Sequence, residues 1–385
     1  MESTTLKSAA PVRRFDNDWL TVLATLTIFL FHCARFFDHG PWHAKNNQMD
    51  QGMTLFVTIT AQWIMPLFFV LSGISSFYSL GSRNVGRYVG NRFRRLVIPL
   101  VFGSLVVLAP VQVWIERVTQ AGYTGSFIEF YPHYFQGFYA LGGNFAWMGL
   151  HLWYLEMLFV FTVLTLPLFI NMKKGKNPKL LAGAAAFFSR RGTIYLLAVP
   201  LLLMELVVNL QPMGAGIRAF GGWSLFSYIV IFVAGFLVAT SPLYRESMER
   251  SRYISLALGL MTASAMFLVK FDLSLLGTAG AYLVSVLFRS FNSWFWLIAI
   301  LGFGSRHLNF SNPFLDYARN AALPFYILHQ TVIVVFGYFI ANWEAGVMVK
   351  YLVLGCVSFA VIIASYEFAI KRIAVLGALF GMKGR

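Results

Sequence analysis

The sequence predicts an all-α polytopic membrane protein with about ten transmembrane helices in one bundle. Its 385 residues are 58% hydrophobic and only 12% charged, whereas soluble domains contain about 25% charged residues. Apolar runs of roughly 20 residues, long enough to cross a bilayer, follow one another along nearly the whole chain. We therefore expect a single integral-membrane domain over residues 1–385, without a separate soluble domain.

The apolar runs set the bounds of the expected spans. In chain order these are residues 19–37, 53–80, 96–115, 150–171, 192–209, 220–240, 253–270, 286–304, 320–341 and 346–370. Lysine and arginine are concentrated in alternate connections, which the positive-inside rule makes cytoplasmic. Both termini are then cytoplasmic, with residues 1–18 as a tail. The net charge of +15 is mainly a topology signal and gives no reason to expect a nucleic-acid partner.

An ionisable residue, His32, lies inside the first predicted span. It belongs to a helix face whose members recur every three or four residues: Thr21, Thr25, Ile28, His32 and Arg35. Ionisable residues within spans are costly and usually mark a site or a pathway. His32 follows Asp18 by fourteen residues, or about 21 Å along a helix, which places it in the outer half of the membrane. A histidine that only hydrogen-bonds a neighbouring helix remains the alternative.

Two more histidines occur in predicted spans. His151 opens the fourth span, which runs from the outer face inward, so it belongs near the depth of His32. An interfacial residue in an aromatic belt is an equally good interpretation of His151. His329 lies near mid-depth in the ninth span and is placed to serve the same cavity.

Metal and disulfide sites are not expected. His39 and His43 have the spacing of a metal pair on a helix, but the intervening Gly-Pro disfavours a helix there. The only cysteines, Cys33 and Cys356, both lie in apolar runs, so they form no disulfide framework or zinc motif.

A basic motif precedes the third span. Arg92, Arg94 and Arg95 end the second cytoplasmic connection, and Pro99 is expected to begin the following helix. Guanidinium groups bind phosphates through charge-assisted bidentate hydrogen bonds. Ordinary positive-inside clustering explains the same residues equally well.

Small residues interrupt the second span at Ser72 and Gly73. Their lack of bulk indicates either close helix packing or the wall of a channel for a thin ligand. A long outer segment, residues 116–149, is rich in phenylalanine, tyrosine and tryptophan. Packing against sugar rings and a lid in the lipid headgroup region both fit that composition.

Taken in order, these motifs resemble membrane-bound acyltransferase family 3. They are Asp18–Leu20 leading to His32, Phe68–Gly73, Arg92–Pro99, His151–Trp153 and Tyr326–His329. The resemblance covers essentially the full chain. It is closest to the glucans biosynthesis protein C branch, in which Trp42-His43 also finds a counterpart.

The resemblance implies an O-acyltransferase of the inner membrane. It would move an acyl group, succinyl or acetyl, from cytoplasmic acyl-coenzyme A (acyl-CoA) to hydroxyls of an extracytoplasmic glycan such as periplasmic glucan. Acyl-CoA is a substrate here, and no permanently bound cofactor or metal is implied. By analogy His32 matches the family's essential first-helix histidine. We expect it to act as general base on the acceptor hydroxyl, with a covalent acyl-histidine as the variant, and His151 to orient the acceptor or stabilise the oxyanion.

Arg92, Arg94 and Arg95 match the family's basic motif on the cytoplasmic side, and we expect them to bind the donor's phosphates while its thin arm passes between helices. The expected residues of that substrate path are Ser72, Gly73, Trp153 and His329.

One position departs from the family pattern. The family usually has an arginine eleven positions before the first-helix histidine, and here that residue is Thr21. Arg13, Arg14 and Arg35 are candidates to supply the missing charge.

Two other classes of function compete with acyl transfer. One is a secondary transporter in which His32 and Glu156 form a proton relay. The other is a non-catalytic membrane scaffold or sensor.

Overall fold

The computed structural model describes residues 14–81, 84–175, 177–208, 221–268 and 277–382. Within these ranges the chain is helical and contains no β-strand, which confirms the predicted all-α class. The helices are α1 Phe15–Arg35, α2 Gln51–Ala61, α3 Ile64–Gly81, α4 Val85–Leu105, α5 Leu108–Gln120, α6 Phe127–Tyr134, α7 Trp153–Lys173, α8 Pro178–Phe188, α9 Val199–Val208, α10 Leu225–Val238, α11 Pro242–Leu268, α12 Gly277–His307, α13 Pro313–Ile340, α14 Val347–Ser365 and α15 Ala374–Leu379.

Several of these helices are long and apolar enough to cross a membrane. Seven segments of the described chain meet that condition, and two bent pairs bring the number to nine if each pair is one span. The pairs are α8 with α9, bent by 118°, and α10 with α11, bent by 107°. This is a multi-pass membrane protein. The count of about ten and the cytoplasmic termini stay predictions, and residues 1–13 of the predicted tail lie outside the described residues.

The basic motif lies inside a helix, not at the end of a loop. α4 begins at Val85, where the Asn84 side chain accepts a hydrogen bond of 2.9 Å from the Gly86 backbone N–H. The prediction that Pro99 begins the span is therefore wrong, because Pro99 lies within α4. Helical spacing now places Arg92 and Arg95, three residues apart, on one face of α4.

α1 lies at the centre of the site-forming part of the bundle, packed between α3 and α13. Its buried residues include Leu20, Ala24 and Ile28 on the side that meets these two helices. Aromatic side chains fill the adjoining core, with the rings of Phe69 and Tyr228 stacked at a centroid distance of 4.6 Å. On the polar face of α1, Thr25 is buried and His32 contacts His329 of α13, so this face meets other helices.

The outer aromatic segment folds as a compact unit. The first part of the predicted loop, residues 116–120, belongs to α5. The short helix α6 is capped reciprocally by Ser126 and Glu129, and hydrogen bonds from Ser126 lower the pKa of Glu129. Tyr134 is buried and donates a hydrogen bond of 2.8 Å to the Ser104 carbonyl oxygen. The segment is thereby fixed to the end of α4.

Substitution of Gly73 by alanine is expected to destabilise the bundle. A Cβ atom there would lie 2.1 Å from the carbonyl oxygen of Phe232 in α10, and such overpacking costs about 1–3 kcal/mol. Thermal unfolding of purified protein, followed by intrinsic fluorescence, should show a lower midpoint for Gly73→Ala.

The matched control is Gly355→Ala in α14, where a Cβ would meet no atom within 4 Å. That variant should unfold at the same temperature or slightly higher, since alanine is the better helix former. Equal midpoints for the two variants would contradict the close approach of α3 and α10.

Candidate active site

A hydrogen bond between two histidines joins α1 to α13. His32 Nδ1 lies 2.8 Å from His329 Nε2, and their ring centroids are 4.9 Å apart. His329 is fully buried, whereas His32 keeps part of its surface accessible. The structure thus brings together two residues separated by almost 300 positions in the chain, both of which the sequence had placed in one cavity.

The surrounding acceptors fix the tautomers of this pair. His329 Nδ1 lies 2.5 Å from the backbone carbonyl oxygen of Tyr326, and a carbonyl can only accept, so Nδ1 carries a proton. In a neutral ring Nε2 of His329 is then the acceptor, and His32 Nδ1 must donate to it. This arrangement leaves the lone pair on His32 Nε2, for which the described residues provide no hydrogen-bond partner. A neutral imidazole held in this way is suited to act as a base.

His151 is the third member of the cluster. It lies in a 3₁₀ turn immediately before α7, is buried, and its ring centroid is 5.1 Å from that of His329. Its Nε2 lies 3.0 Å from the carbonyl oxygen of Ile327, so Nε2 donates. The remaining nitrogen, Nδ1, is an acceptor without a hydrogen-bond partner among the described residues.

Two adjoining cavities, which we call the basic chamber, lie on the other side of Tyr326. Their volumes are about 550 and 260 Å³. Both are lined by Thr21, Ser75, Arg95, Arg319 and Leu323. The smaller cavity also reaches Arg92 and extends to Tyr326. The chamber therefore begins among guanidinium groups and ends at Tyr326, which hydrogen-bonds two histidines of the cluster.

Tyr326 connects the basic chamber to the histidines. Its ring lines the smaller cavity, its hydroxyl donates a hydrogen bond of 2.5 Å to the carbonyl oxygen of His151, and its own carbonyl accepts from His329. Thr25 also lines the cavity and precedes His32 by seven residues, about 10 Å along α1. His32 itself is not a lining residue, so Tyr326 stands between the chamber and the histidine pair.

The predicted arginines do not all face this chamber. Arg92 lines the smaller cavity and donates a hydrogen bond of 2.9 Å to the Ser76 hydroxyl. Arg95 lines both cavities. Arg94 is exposed and lines neither, because one helical position turns it about 100° from Arg95.

A guanidinium group from α13 lies opposite Thr21. Arg319 lines both cavities together with Thr21. Its Nη1 is 3.8 Å from Asp18 and its Nη2 is 3.1 Å from Asp316. Its Nε has no hydrogen-bond partner in the described part of the chain. Sequence reasoning counted Arg319 only as a topology charge, since nothing local places it beside the first helix.

The residues proposed to compensate for Thr21 lie elsewhere. Arg14 pairs with Asp16 at 2.8 Å and lines a different cavity. Arg35, at the opposite end of α1, pairs with Asp38. Arg13 lies outside the described residues.

The predicted path residues have different environments. Ser72 lines the chamber and hydrogen-bonds the Tyr154 hydroxyl at 2.7 Å. Gly73 contacts the backbone of α10, which is the packing alternative and not a channel wall. Trp153 packs beside the stacked rings of Phe69 and Tyr228, with centroid distances of 6.2 and 5.4 Å, and does not line the chamber.

No metal centre is evident in the described chain, which holds no group of three or more histidine, cysteine, aspartate or glutamate side chains placed to bind an ion. The two histidines with metal-pair spacing, His39 and His43, bond different partners. The His39 ring hydrogen-bonds Thr54 at 2.8 Å, and the His43 ring bonds Glu116 at 2.5 Å.

Comparison with known proteins identifies one family over almost the whole chain. A family model described as an acyltransferase domain matches residues 16–367. Glucans biosynthesis protein C of Salmonella paratyphi A is 22% identical over 98% of this chain and 97% of that protein. The proteins of the same name from Salmonella agona and Salmonella heidelberg are 22% and 21% identical over the same shares. No solved structure shows a significant match.

Proposed function

Because this chain belongs to the acyltransferase domain family and is a multi-pass membrane protein, we propose that it acylates an extracytoplasmic glycan, using cytoplasmic acyl-CoA as the donor. Succinyl-CoA and acetyl-CoA are the donor candidates. The relatives' name, glucans biosynthesis protein C, supports a glucan acceptor. The inner membrane is the proposed location.

One observation supports this function above all others. The basic chamber ends on Tyr326, whose carbonyl oxygen fixes the tautomer of the histidine pair. A donor with anionic phosphates at one end and a reactive thioester at the other fits such a chamber. Its phosphates would bind Arg92, Arg95 and Arg319, and the narrow pantetheine arm would extend past Ser72 toward Tyr326. The thioester reaches His32 when the Tyr326 ring moves aside.

The reaction follows from the free nitrogen of His32. An acceptor hydroxyl oxygen attacks the thioester carbonyl carbon while His32 Nε2 takes the hydroxyl proton. A carbon–oxygen bond forms and the carbon–sulfur bond breaks. The departing thiolate of coenzyme A takes the proton from His32, so an ester and a free thiol are produced without any redox partner.

A covalent variant uses the same atom. In it, His32 Nε2 attacks the thioester, and the acyl group passes from the imidazole to the acceptor hydroxyl. Rapid quenching that traps acyl-modified His32 would distinguish this route from direct transfer.

The geometry narrows the role of His151. Stabilisation of an oxyanion requires a donor, but His151 Nε2–H is already directed at the Ile327 carbonyl. The available Nδ1 is an acceptor, so His151 is better suited to orient a hydroxyl of the acceptor glycan.

The transporter alternative has less support. It requires a path between His32 and Glu156, yet no contact joins them within the described chain, where His32 instead meets His329 and Trp42. Glu156 Oε2 is buried without a hydrogen-bond partner there. The family match also points to acyl transfer.

Replacement of His32 by alanine or glutamine is expected to reduce acyl transfer by at least about 100-fold, since general-base catalysis contributes about 10²–10⁴-fold. Release of coenzyme A and formation of glycan ester would be measured together in proteoliposomes. His307→Gln is the control, because His307 is exposed at the end of α12.

His307→Gln should retain wild-type activity, and a cooperative thermal transition would show that each variant folds. A folded His32→Ala protein with more than a tenth of normal transfer would refute the assigned base.

Donor binding should depend on the arginines that line the chamber. Arg92→Gln and Arg95→Gln are each expected to weaken coenzyme A binding by about tenfold or more, since hydrogen bonds to charged groups contribute about 1.5–3 kcal/mol. Arg94→Gln provides a matched control in the same helix and should change affinity less than threefold. Calorimetric titration with coenzyme A would test this. Equal losses for Arg94→Gln and Arg95→Gln would contradict the chamber as the donor site.

A further inference from the structure

The segment after α1 places an indole ring beside His32. The rings of Trp42 and His32 are nearly parallel, with an interplanar angle of 16° and centroids 6.1 Å apart. Both side chains are only partly buried. Trp42 therefore borders the site on the side of His32 that does not face His329.

Residues of α5 and the outer segment hold Trp42 in place. Gln120 Nε2 donates hydrogen bonds of 2.6 and 2.9 Å to the backbone carbonyl oxygens of Trp42 and His43. The His43 ring bonds Glu116 through Nδ1 at 2.5 Å. The indole position thus depends on α5 through both backbone and side-chain contacts.

Glu116 is the centre of this network. Its carboxylate accepts hydrogen bonds from His43, from the Tyr139 hydroxyl at 2.7 Å, and from Arg117 Nη1 at 3.1 Å. Burial, reinforced by Glu116, raises the pKa of Tyr139, so its hydroxyl remains a donor. The Glu116 carboxylate therefore accepts from three donors, which fixes the orientation of the His43 ring with Nδ1 toward Glu116.

These groups present a surface of mixed character beside the proposed base. Trp42 offers an apolar ring, and the neighbouring His43 and Tyr139 offer hydrogen-bonding edges, all of them partly exposed. An aromatic face next to a few fixed polar groups suits a ligand with apolar ring faces and hydroxyl edges. Sugars have that character, whereas a lipid chain would leave the polar edges without partners.

We propose that Trp42, His43 and Glu116 form the acceptor subsite, in which a sugar ring of a glycan lies against the Trp42 indole. His43 hydrogen-bonds a sugar hydroxyl, and Glu116 is a positioning residue that holds His43 and the segment bearing Trp42. The subsite directs a second hydroxyl toward His32 Nε2. This inference rests on the proposed function, because it assigns the acceptor side of the same reaction.

The experiment separates acceptor recognition from catalysis. The acceptor probe is the soluble glucan fraction from the envelope of cells lacking this protein, and the donors are succinyl-CoA and acetyl-CoA. Wild type, Trp42→Ala, Trp42→Phe and Glu116→Gln would be assayed across a range of acceptor concentrations. Trp343→Ala is the matched control, since Trp343 is half-exposed and lies in the connection between α13 and α14.

Trp42→Ala should raise KM for the glucan at least about tenfold while kcat and the KM for the donor change less than threefold, the signature of lost acceptor binding. Trp42→Phe should recover most of that loss, and Glu116→Gln should raise the acceptor KM without preventing donor binding. Trp343→Ala should match wild type. Thermal unfolding midpoints near wild type would show that the variants fold.

Failure of the acceptor subsite and failure of the proposed function would give different results. Wild-type protein that acylates the glucan, together with an unchanged acceptor KM in folded Trp42→Ala, would overturn the acceptor subsite and leave the indole as a structural lid. Wild-type protein that acylates none of the glucan with either donor would overturn the proposed function itself, and this inference with it.

Discussion

The hydrogen bond between His32 and His329 is the interaction on which the site depends. It joins α1 to α13, and the Tyr326 carbonyl determines the direction of its proton. Buried polar groups are costly unless they are paired, and both nitrogens of the fully buried His329 have a partner. Of the four ring nitrogens of this pair, only His32 Nε2 has no hydrogen-bond partner among the described residues, and it lies across the ring from the nitrogen that contacts His329. One nitrogen of the His32 ring, Nδ1, therefore holds the two helices together, and the other, Nε2, is available to a substrate.

The surroundings of this pair differ on its two sides. Toward Tyr326 lies the basic chamber, with guanidinium groups of Arg92, Arg95 and Arg319 in its lining. Toward Trp42 lies a network centred on the Glu116 carboxylate. Under the proposed function, the phosphates of the donor suit the guanidinium side, and the hydroxyls of the acceptor suit the side of Trp42 and Glu116. Under the proposed function, neither substrate crosses the bilayer completely, since each approaches the histidine pair from its own side.

Sequence reasoning predicted much of this but not all. Apolar runs and the polar face of the first span were sufficient to predict an all-α membrane protein and to place His32, His151 and His329 near one another. The sequence does not separate Arg94 from Arg95, because it places the motif in a connection, whereas α4 begins before the motif, at Val85. Arg319 and Glu116 were missed for another reason. Their neighbours are distant in the chain, so no local spacing reveals the contact.

The most direct test of the account is the sidedness of the reaction in sealed proteoliposomes. The glucan acceptor would be enclosed in vesicles containing oriented protein, acyl-CoA would be added only outside, and glucan ester would be measured by mass spectrometry after removal of external material. The account predicts ester within the vesicles when the arginine-lined chamber opens to the outside solution. Ester formed only when both substrates occupy the same side would contradict it.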